Sequence, residues 1–240
     1  MPRGRLASDG VTRVLVADDD NVVRDMLRRY LERDGHDVST ARDGDEALRA
    51  LDSERIDLAI LDVMMPGPDG LTICRTLRER SGFRVPVILL TALSEEDDRI
   101  AGLEVGADDY VTKPFSPREL ALRVRSVLRR GPATQAVGPS APVTSGGLVI
   151  SAGARSVTVD GEPVNLTNRE FDLLLFLVTH ADVVFSREEL LKRVWQWDFG
   201  DLSTVTVHVK RLRSKLGDHH RVQTVWGRGY LWSGGTDAGA

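Results

Sequence analysis

The stretch "VLVADDD" (14–20) places three adjacent aspartates directly after four apolar residues. The apolar run predicts a buried strand, because a short run of this kind bounded by polar residues is typical of a strand inside a parallel sheet. Three neighbouring carboxylates repel one another, so the aspartates need an explanation of their own. A solvated turn, a metal site and the cap of a following helix all fit this pattern.

Strand and helix patterns alternate over the first 130 residues. The predicted strands are Arg13–Ala17, Asp37–Ala41, Leu58–Leu61, Val87–Thr91 and Tyr110–Thr112. The predicted helices are Val22–Arg33, Gly44–Ser53, Gly70–Arg80, Glu95–Val105 and Pro117–Arg129. This alternation predicts an α/β domain at 11–130, built on a doubly wound, five-stranded parallel sheet.

The composition changes after residue 130. Residues 131–146 are rich in Gly, Pro, Ser and Thr without a hydrophobic period, which predicts a flexible linker. Residues 147–233 then carry short strands, three helix patterns (Asn168–Thr179, Arg187–Val194 and Ser203–Leu216) and a final strand–turn–strand. Three helices followed by a hairpin predict a small α+β domain, a winged helix-turn-helix.

Charge and composition narrow the class of protein. The longest apolar run, 173–178, is far too short to cross a bilayer, and the first ten residues lack the apolar segment of a signal peptide. With a single cysteine, no disulfide can form within the chain. We therefore expect a cytoplasmic protein with no membrane partner. The net charge is −4, yet residues 192–230 hold eight lysines and arginines against three aspartates, so the overall acidic charge does not exclude a nucleic-acid partner.

Polar side chains stand where the predicted strands of the first domain end. They are Asp18, Asp19, Asp62, Thr91 and Lys113. The carboxyl ends of parallel strands meet at one edge of the sheet, so these groups should share one pocket. Three carboxylates there need a counter-charge, and Mg²⁺ with oxygen ligands supplies it. A carboxylate at a strand end, Asp62, can act as a nucleophile that forms an acyl phosphate.

Lys113 is the sharpest single signal in this set. The chain has 32 lysines and arginines, of which four are lysines, and Lys113 is the only lysine before residue 192. A compact ammonium at this one position indicates a site that is too tight for a guanidinium. A surface lysine before a proline turn is the plainer alternative.

The motifs "VLVADDD", "LAILDVMMPGPDG", "VILLTA" and "GADDYVTKPF" resemble the flavodoxin-like receiver domain of bacterial two-component response regulators. The resemblance implies that Asp62 is the phosphoacceptor and that Mg²⁺ is bound by Asp19, Asp62 and the carbonyl of Met64, with Asp18 acting through water. It further implies that Thr91 and Lys113 contact the phosphoryl group, that Tyr110 is a switch aromatic, and that Lys113–Pro114 is a cis peptide.

The chain as a whole resembles the OmpR/PhoB subfamily of response regulators. For the receiver this implies a homodimer on phosphorylation, with the pairs Arg99–Glu119, Asp109–Arg123 and Glu104–Arg125 across its two-fold axis. A solvated charged face is the alternative for any single pair. For "VTVHVKRLRSKLG" and "VQTVWGRGYLW" (205–217 and 222–232) it implies that Val207 and Arg211 face bases. The phosphate contacts would come from His208, Lys210, Arg213, Thr224 and Tyr230.

Three positions depart from the subfamily's pattern. Ser203 stands where an arginine is frequent, Thr206 replaces an aspartate, and Trp226 replaces an arginine of the wing. An indole cannot act as a cation, so we expect Arg228 at the hairpin tip to take over the charge. If Arg228→Ala leaves operator affinity and its salt dependence unchanged, Arg228 does not have this role.

The resemblance predicts a transcriptional regulator, not an enzyme. A sensor histidine kinase would phosphorylate Asp62, and the dimer would bind double-stranded promoter DNA and act on RNA polymerase. Two alternatives stay open: a regulator that binds DNA without phosphorylation, and an aspartyl-phosphate hydrolase. The hydrolase usually has a second aspartate two residues after the nucleophile, where this chain has Met64. Asp20, directly before the first helix pattern, is expected to cap that helix.

Overall fold

The computed structural model describes residues 11–80, 85–92, 105–128, 141–197 and 201–234. Its first part contains β1 (Arg13–Ala17), α1 (Asn21–Arg33), β2 (Asp37–Ala41), α2 (Gly44–Ser53), β3 (Leu58–Asp62), α3 (Gly70–Glu79), β4 (Val87–Thr91), β5 (Asp109–Thr112) and α4 (Pro117–Leu128). These bounds agree with the predicted elements to within one residue at each end that the structure describes. The helix predicted at Glu95–Val105 lies almost wholly outside the described residues.

The five strands form one sheet in the order β2-β1-β3-β4-β5. The pairs β1–β2, β1–β3 and β3–β4 are parallel. Strands β3 and β4 are buried at every position, as expected for central strands that are covered by helices on both faces. The edge strand β2 is more exposed, with only Ala41 fully buried. The doubly wound parallel sheet is therefore confirmed.

Helix α1 begins at the third aspartate of the opening run. The side chain of Asp20 accepts hydrogen bonds from the backbone N–H groups of Val22 (2.7 Å) and Val23 (3.4 Å). These are two of the amide groups that the first turn of a helix leaves without a partner inside the helix. Asp20 is thus the predicted cap, and the three aspartates have different structural environments.

The second part is a separate α+β unit. An antiparallel sheet is formed by β6 (Val143–Ser145), β7 (Leu148–Ser151), β8 (Ser156–Val159) and β9 (Glu162–Pro163). Three helical segments follow: α5 (Asn168–Thr179), α6 (Arg187–Leu190), which continues as a π-helical turn over Leu191–Trp195, and α7 (Ser203–Leu216). The hairpin of β10 (Val222–Val225) and β11 (Gly229–Trp232) ends the described chain.

Strand β6 lies inside the stretch 131–146 that the composition assigns to the linker. Val143 pairs with Ile150, and Ser145 pairs with Leu148, so ordered structure begins at least four residues before the predicted domain start. Three residues are too few to show a hydrophobic period. Only the pairing with β7 identifies them as a strand. Residues 131–140 lie outside the described ranges.

A buried ion pair links two helices of the second unit. The carboxylate of Glu170 on α5 lies 2.6 Å from the guanidinium of Arg211 and 2.7 Å from the ammonium of Lys215, both on α7. Burial raises the pKa of Glu170, but the two cations outweigh that effect and leave the pKa below its usual value. Glu170 also completes a capping box with Thr167. The same side chain therefore stabilises the start of α5 and binds α5 to α7.

Replacing the cap of α1 should reduce stability by a defined amount. We expect Asp20→Ala to lower the free energy of unfolding by about 1 kcal/mol, because two backbone N–H groups lose their acceptor. Urea unfolding of the full chain measures this change. Asp20→Ser retains a side-chain acceptor and should recover most of the loss. Equal stability of Asp20→Ala and the wild type would contradict the capping role.

Candidate phosphoacceptor site and nucleic-acid interface

Two carboxylates lie side by side because two neighbouring strands end together. Asp62 is the last residue of β3, and Asp18 directly follows β1. The register pairs Ala17 with Leu61, which brings the next residue of each strand to the same edge. Asp18 is fully buried and Asp62 is 3% exposed, whereas Asp19 faces solvent. One oxygen of each of the three aspartates lies within 4.8 Å of the others.

Lys113 lies between the two buried carboxylates. Its Nζ is 2.8 Å from Oδ2 of Asp18 and 3.0 Å from Oδ2 of Asp62. Its backbone N–H donates to the carbonyl of Thr91, the last residue of β4, at 2.7 Å. The side chain therefore reaches the pocket from the end of β5. The peptide bond Lys113–Pro114 is cis, as the resemblance implies.

Each of these groups alters the proton affinity of its neighbour. Burial is the largest effect on Asp62 and raises its pKa, with a further increase from the Asp18 charge, while Lys113 and the backbone N–H of Met64 lower it. The net pKa of Asp62 is raised. Burial lowers the pKa of Lys113, but its hydrogen bonds to Asp18 and Asp62 outweigh this, so the ammonium is held charged.

The loop around Asp18 is held by contacts that the sequence pattern did not reveal. Oδ1 of Asp18 accepts the backbone N–H of Asp20 at 3.0 Å, and the guanidinium of Arg24 donates to the carbonyl of Asp18 at 2.5 Å. Gly70 begins α3 so close to β3 that a Cβ there would lie 2.4 Å from the carbonyl oxygen of Asp62. The glycine that follows a capping aspartate in "PDG" is the one sequence signal that could have predicted this close packing of α3 on β3.

The remaining receiver residues take distinct positions. Thr91 is 5% exposed at the end of β4, beside the strand that carries Asp62, because Asp62 pairs with Leu90 in the sheet. Tyr110 on β5 is 6% exposed. The side chain of Met64 is 62% exposed, two residues after Asp62. The roles of Thr91, Tyr110 and the Met64 carbonyl stay predictions.

The donor set suits a hard divalent cation. Three carboxylates face one ammonium, so the pocket carries a net charge of −2 when all four groups are ionised. The carboxylates offer oxygen ligands only, which is the preference of Mg²⁺ in proteins. The residues present therefore fit the cation that the resemblance implies.

Helix α7 and the hairpin each carry an exposed cation. Lys210 on α7 and Arg228 at the hairpin turn face solvent. Arg213 donates to the carbonyl of Val222 (3.1 Å) and to the hydroxyl of Thr224 (2.8 Å), which joins α7 to β10. Tyr230 is 3% exposed, and its ring lies 5.8 Å from the guanidinium of Arg213. Three predicted phosphate contacts (Arg213, Thr224 and Tyr230) thus form one connected group.

Three predicted DNA contacts on α7 are not exposed in this structure. Val207 is 2%, His208 0% and Arg211 7% exposed. Nδ1 of His208 lies 2.8 Å from the carbonyl oxygen of Thr204, and burial is the largest cause that lowers its pKa to about 3, so the imidazole is neutral. In this structure His208 is therefore neither exposed nor charged, as an ionic contact to a phosphate would require. The DNA-binding roles of all three residues stay predictions.

Known proteins match both parts of the chain. Residues 14–125 match the family described as response regulator receiver domain, and residues 161–232 match the family described as transcriptional regulatory protein, C terminal. The transcriptional regulatory protein ResD of Bacillus subtilis is 45% identical over 236 residues, which cover 94% of this chain and 98% of ResD. The chain belongs to the OmpR/PhoB family of two-component response regulators.

Two further relatives agree with this assignment. The transcriptional regulatory protein SrrA of Staphylococcus aureus is 43% identical over 228 residues, covering 90% of this chain and 93% of SrrA. The crystal structure of DrrB, an OmpR/PhoB homologue of Thermotoga maritima, matches with a TM-score of 0.51 and 34% identity, covering 94% of this chain and 100% of DrrB. The chain is thus a response regulator transcription factor and not a classical enzyme.

The receiver residues predicted for dimerisation are only partly described in this response regulator. Arg99 and Glu104 lie outside the described residues. Within the chain, Arg123 pairs with Glu119 one turn away on α4, at 2.8 Å, and Asp109 is fully buried. Arg125 lies on α4 as well. The intermolecular pairs therefore remain predictions.

No helix within the described ranges is both long enough and apolar enough to cross a membrane.

Removing the ammonium should change the titration of Asp62. We expect Lys113→Met to raise the pKa of Asp62 further, because the hydrogen bond and the charge that lower it are lost. A carboxyl with a raised folded-state pKa costs stability as the pH rises through that pKa, so the pH range of this loss should extend upward in the variant. Carboxyl-carbon NMR titration of the metal-free protein measures the pKa.

An exposed lysine of the other domain provides the matched control. Lys192→Met removes the same charge far along the sequence and should leave the titration of Asp62 unaltered. An unchanged or lower pKa of Asp62 in Lys113→Met would contradict the electrostatic role given to Lys113.

Proposed function

We propose that a sensor histidine kinase transfers a phosphoryl group to Asp62 and that this transfer controls binding of the chain to promoter DNA. One observation supports the proposal above all others: Asp62 lies 3.0 Å from the Lys113 ammonium, within 4.8 Å of two further carboxylates. A solvated acidic turn would need neither the half-buried lysine nor the convergence of three strand ends. The family makes a cognate kinase and a DNA target the expected partners.

The transfer places a phosphoryl group on Asp62, beside the carboxylates of Asp18 and Asp19. A carboxylate oxygen of Asp62 would attack phosphorus, the bond from phosphorus to the kinase histidine nitrogen would break, and the imidazole would leave. The product carries more negative charge than the carboxylate did. Lys113 is positioned to pair with one phosphoryl oxygen, and the hydroxyl of Thr91 can donate to another.

We propose Mg²⁺ as the resident cation of this pocket. Asp19, Asp62 and the Met64 carbonyl would hold it directly, and Asp18 would act through water. When bound, the cation would neutralise phosphoryl oxygens during transfer. The exposure of Asp19 supports its assignment as a direct ligand, because its carboxylate is free to approach a cation from the solvent side.

Phosphorylation is proposed to act by population shift. The phosphoryl group must interact differently with two receiver states to change their ratio. Thr91 and Tyr110 would change position between those states, and a homodimer would form through Arg99, Glu104, Asp109, Glu119, Arg123 and Arg125. The stretch after residue 130, which the composition predicts to be a linker, would let the two winged helices bind repeated half-sites independently of the receiver two-fold axis.

The DNA domain would read the major groove with α7. Val207 and Arg211 would face bases, with His208, Lys210, Arg213, Thr224, Arg228 and Tyr230 toward the phosphates. Because Val207, His208 and Arg211 are buried here, DNA binding would have to expose them. We propose that the bound regulator acts on RNA polymerase in the cytoplasm.

Operator affinity with and without a phosphoryl donor tests the proposal. We expect acetyl phosphate with Mg²⁺ to increase the affinity of the wild type for a duplex selected from random-sequence DNA. Asp62→Asn should show the lower affinity under both conditions, because an amide cannot accept the phosphoryl group. Fluorescence anisotropy of the labelled duplex measures both affinities.

Asp52→Asn is the matched control, since Asp52 lies exposed on α2 in a surface ion pair with Arg80 and should respond like the wild type. Equal affinities of the wild type with and without donor would show a regulator that binds DNA independently of phosphorylation.

A further inference from the structure

Trp226 is the most exposed large hydrophobic residue among those that the structure describes. Its side chain is 90% exposed at the turn of the β10–β11 hairpin, whereas Trp195, Trp197 and Trp232 are at most 3% exposed. Moving an indole out of water lowers the free energy, and the gain is largest when a partner covers its large flat surface. A single exposed apolar residue is common on protein surfaces, so its surroundings must decide whether it has a function.

The hairpin holds Trp226 on a fixed support. The turn is closed by the N–H of Arg228, which donates to the carbonyl of Val225 at 2.9 Å. At the base, Phe185 and Tyr230 exchange two backbone hydrogen bonds of 2.9 Å each. A Cβ on Gly229 would lie 1.9 Å from the carbonyl oxygen of Phe185, so the hairpin packs there at backbone contact distance. The tip is therefore presented by an anchored element.

The hairpin is also bound to the cationic helix α7. Arg213 donates to Val222 and to Thr224 of β10, and Tyr230 of β11 reaches the hydroxyl of Thr206 at 3.5 Å. In the proposed complex α7 would lie in the major groove, so a hairpin bound to its side would lie toward the flanking backbone and the adjacent minor groove. Exposed Arg228, two residues after Trp226, supplies a cation at the same tip, where the minor groove has a negative potential.

We propose that Trp226 is an apolar anchor in the DNA minor groove beside the half-site, packed against sugar rings and the edge of a deformable base step, while Arg228 provides the charge. This inference rests on the proposed DNA binding. An indole is uncharged, so it adds affinity without releasing counterions. Its preference is for a step that opens easily, such as a pyrimidine–purine step, because apolar wedges partly unstack the bases they contact.

The contrast between Trp226 and Arg228 gives the test. Affinities of the full chain for the selected duplex are measured by anisotropy over a series of salt concentrations. Trp226→Ala should weaken binding by roughly five- to a hundredfold, the range of a lost aromatic–nucleotide contact, with an unchanged salt slope. Arg228→Ala should reduce the slope by about one. Trp226→Phe should retain most of the affinity, and Val149→Ala, an exposed apolar residue of β7, should retain all of it.

Tryptophan fluorescence supplies an independent readout. Since the other three tryptophans are buried, quenching by acrylamide reports mainly on Trp226 in the free protein. The selected duplex should protect the wild type from quenching and should change the quenching of Trp226→Phe little.

The outcomes separate this inference from the proposed function. Wild-type binding with equal affinity of Trp226→Ala and unprotected fluorescence would overturn the anchor and leave the DNA-binding function intact. Failure of the wild type to bind any duplex would overturn both. Protection by a second copy of the chain without DNA would assign the tip to a protein contact and would also overturn the anchor.

Discussion

The ammonium of Lys113 holds the receiver site together. The ends of β1 and β3 bring Asp18 and Asp62 into a buried pocket. Two carboxylates cannot both stay ionised there without an adjacent cation. Lys113 supplies that cation from β5, and its backbone bond to Thr91 ties the end of β4 to the same point. Four strands of the sheet therefore depend on one short, shared interaction at their carboxyl ends.

The same interaction makes the site responsive. One ammonium among three carboxylates leaves the pocket negative, which favours a divalent cation and makes any added phosphoryl group costly unless its oxygens are paired. A phosphoryl group on Asp62 would compete with Asp18 for Lys113. The physical basis of the proposed switch is thus a redistribution of a few hydrogen bonds. The DNA-binding domain can respond to this change only if the receiver has two alternative packings.

Much of the fold was predictable because local and long-range signals agree. The apolar runs of β1, β3 and β4 predict buried parallel strands, and Asp20 predicts the start of α1. The pocket followed from the rule that parallel strands end together. What the sequence did not reveal depends on contacts that no local pattern encodes. Strand β6 is defined only by its pairing with β7, and Arg24 donates a hydrogen bond to the backbone carbonyl of Asp18. The burial of Val207 and His208 could not be predicted, because the cations of α7 suggested that this helix face is exposed.

Covalent phosphorylation of the wild type and of variants at Asp19, Asp20 and Asp62 tests the central claim most directly. The chain is incubated with acetyl phosphate and Mg²⁺, and its intact mass and the modified residue are determined by mass spectrometry. The account predicts one phosphoryl group on Asp62, lost when Mg²⁺ is chelated and lost in Asp19→Ala, but retained in Asp20→Ala, because Asp19 belongs to the metal site and Asp20 caps α1. A phosphoryl group that persists in Asp62→Asn, or equal labelling of Asp19→Ala and Asp20→Ala, would contradict it.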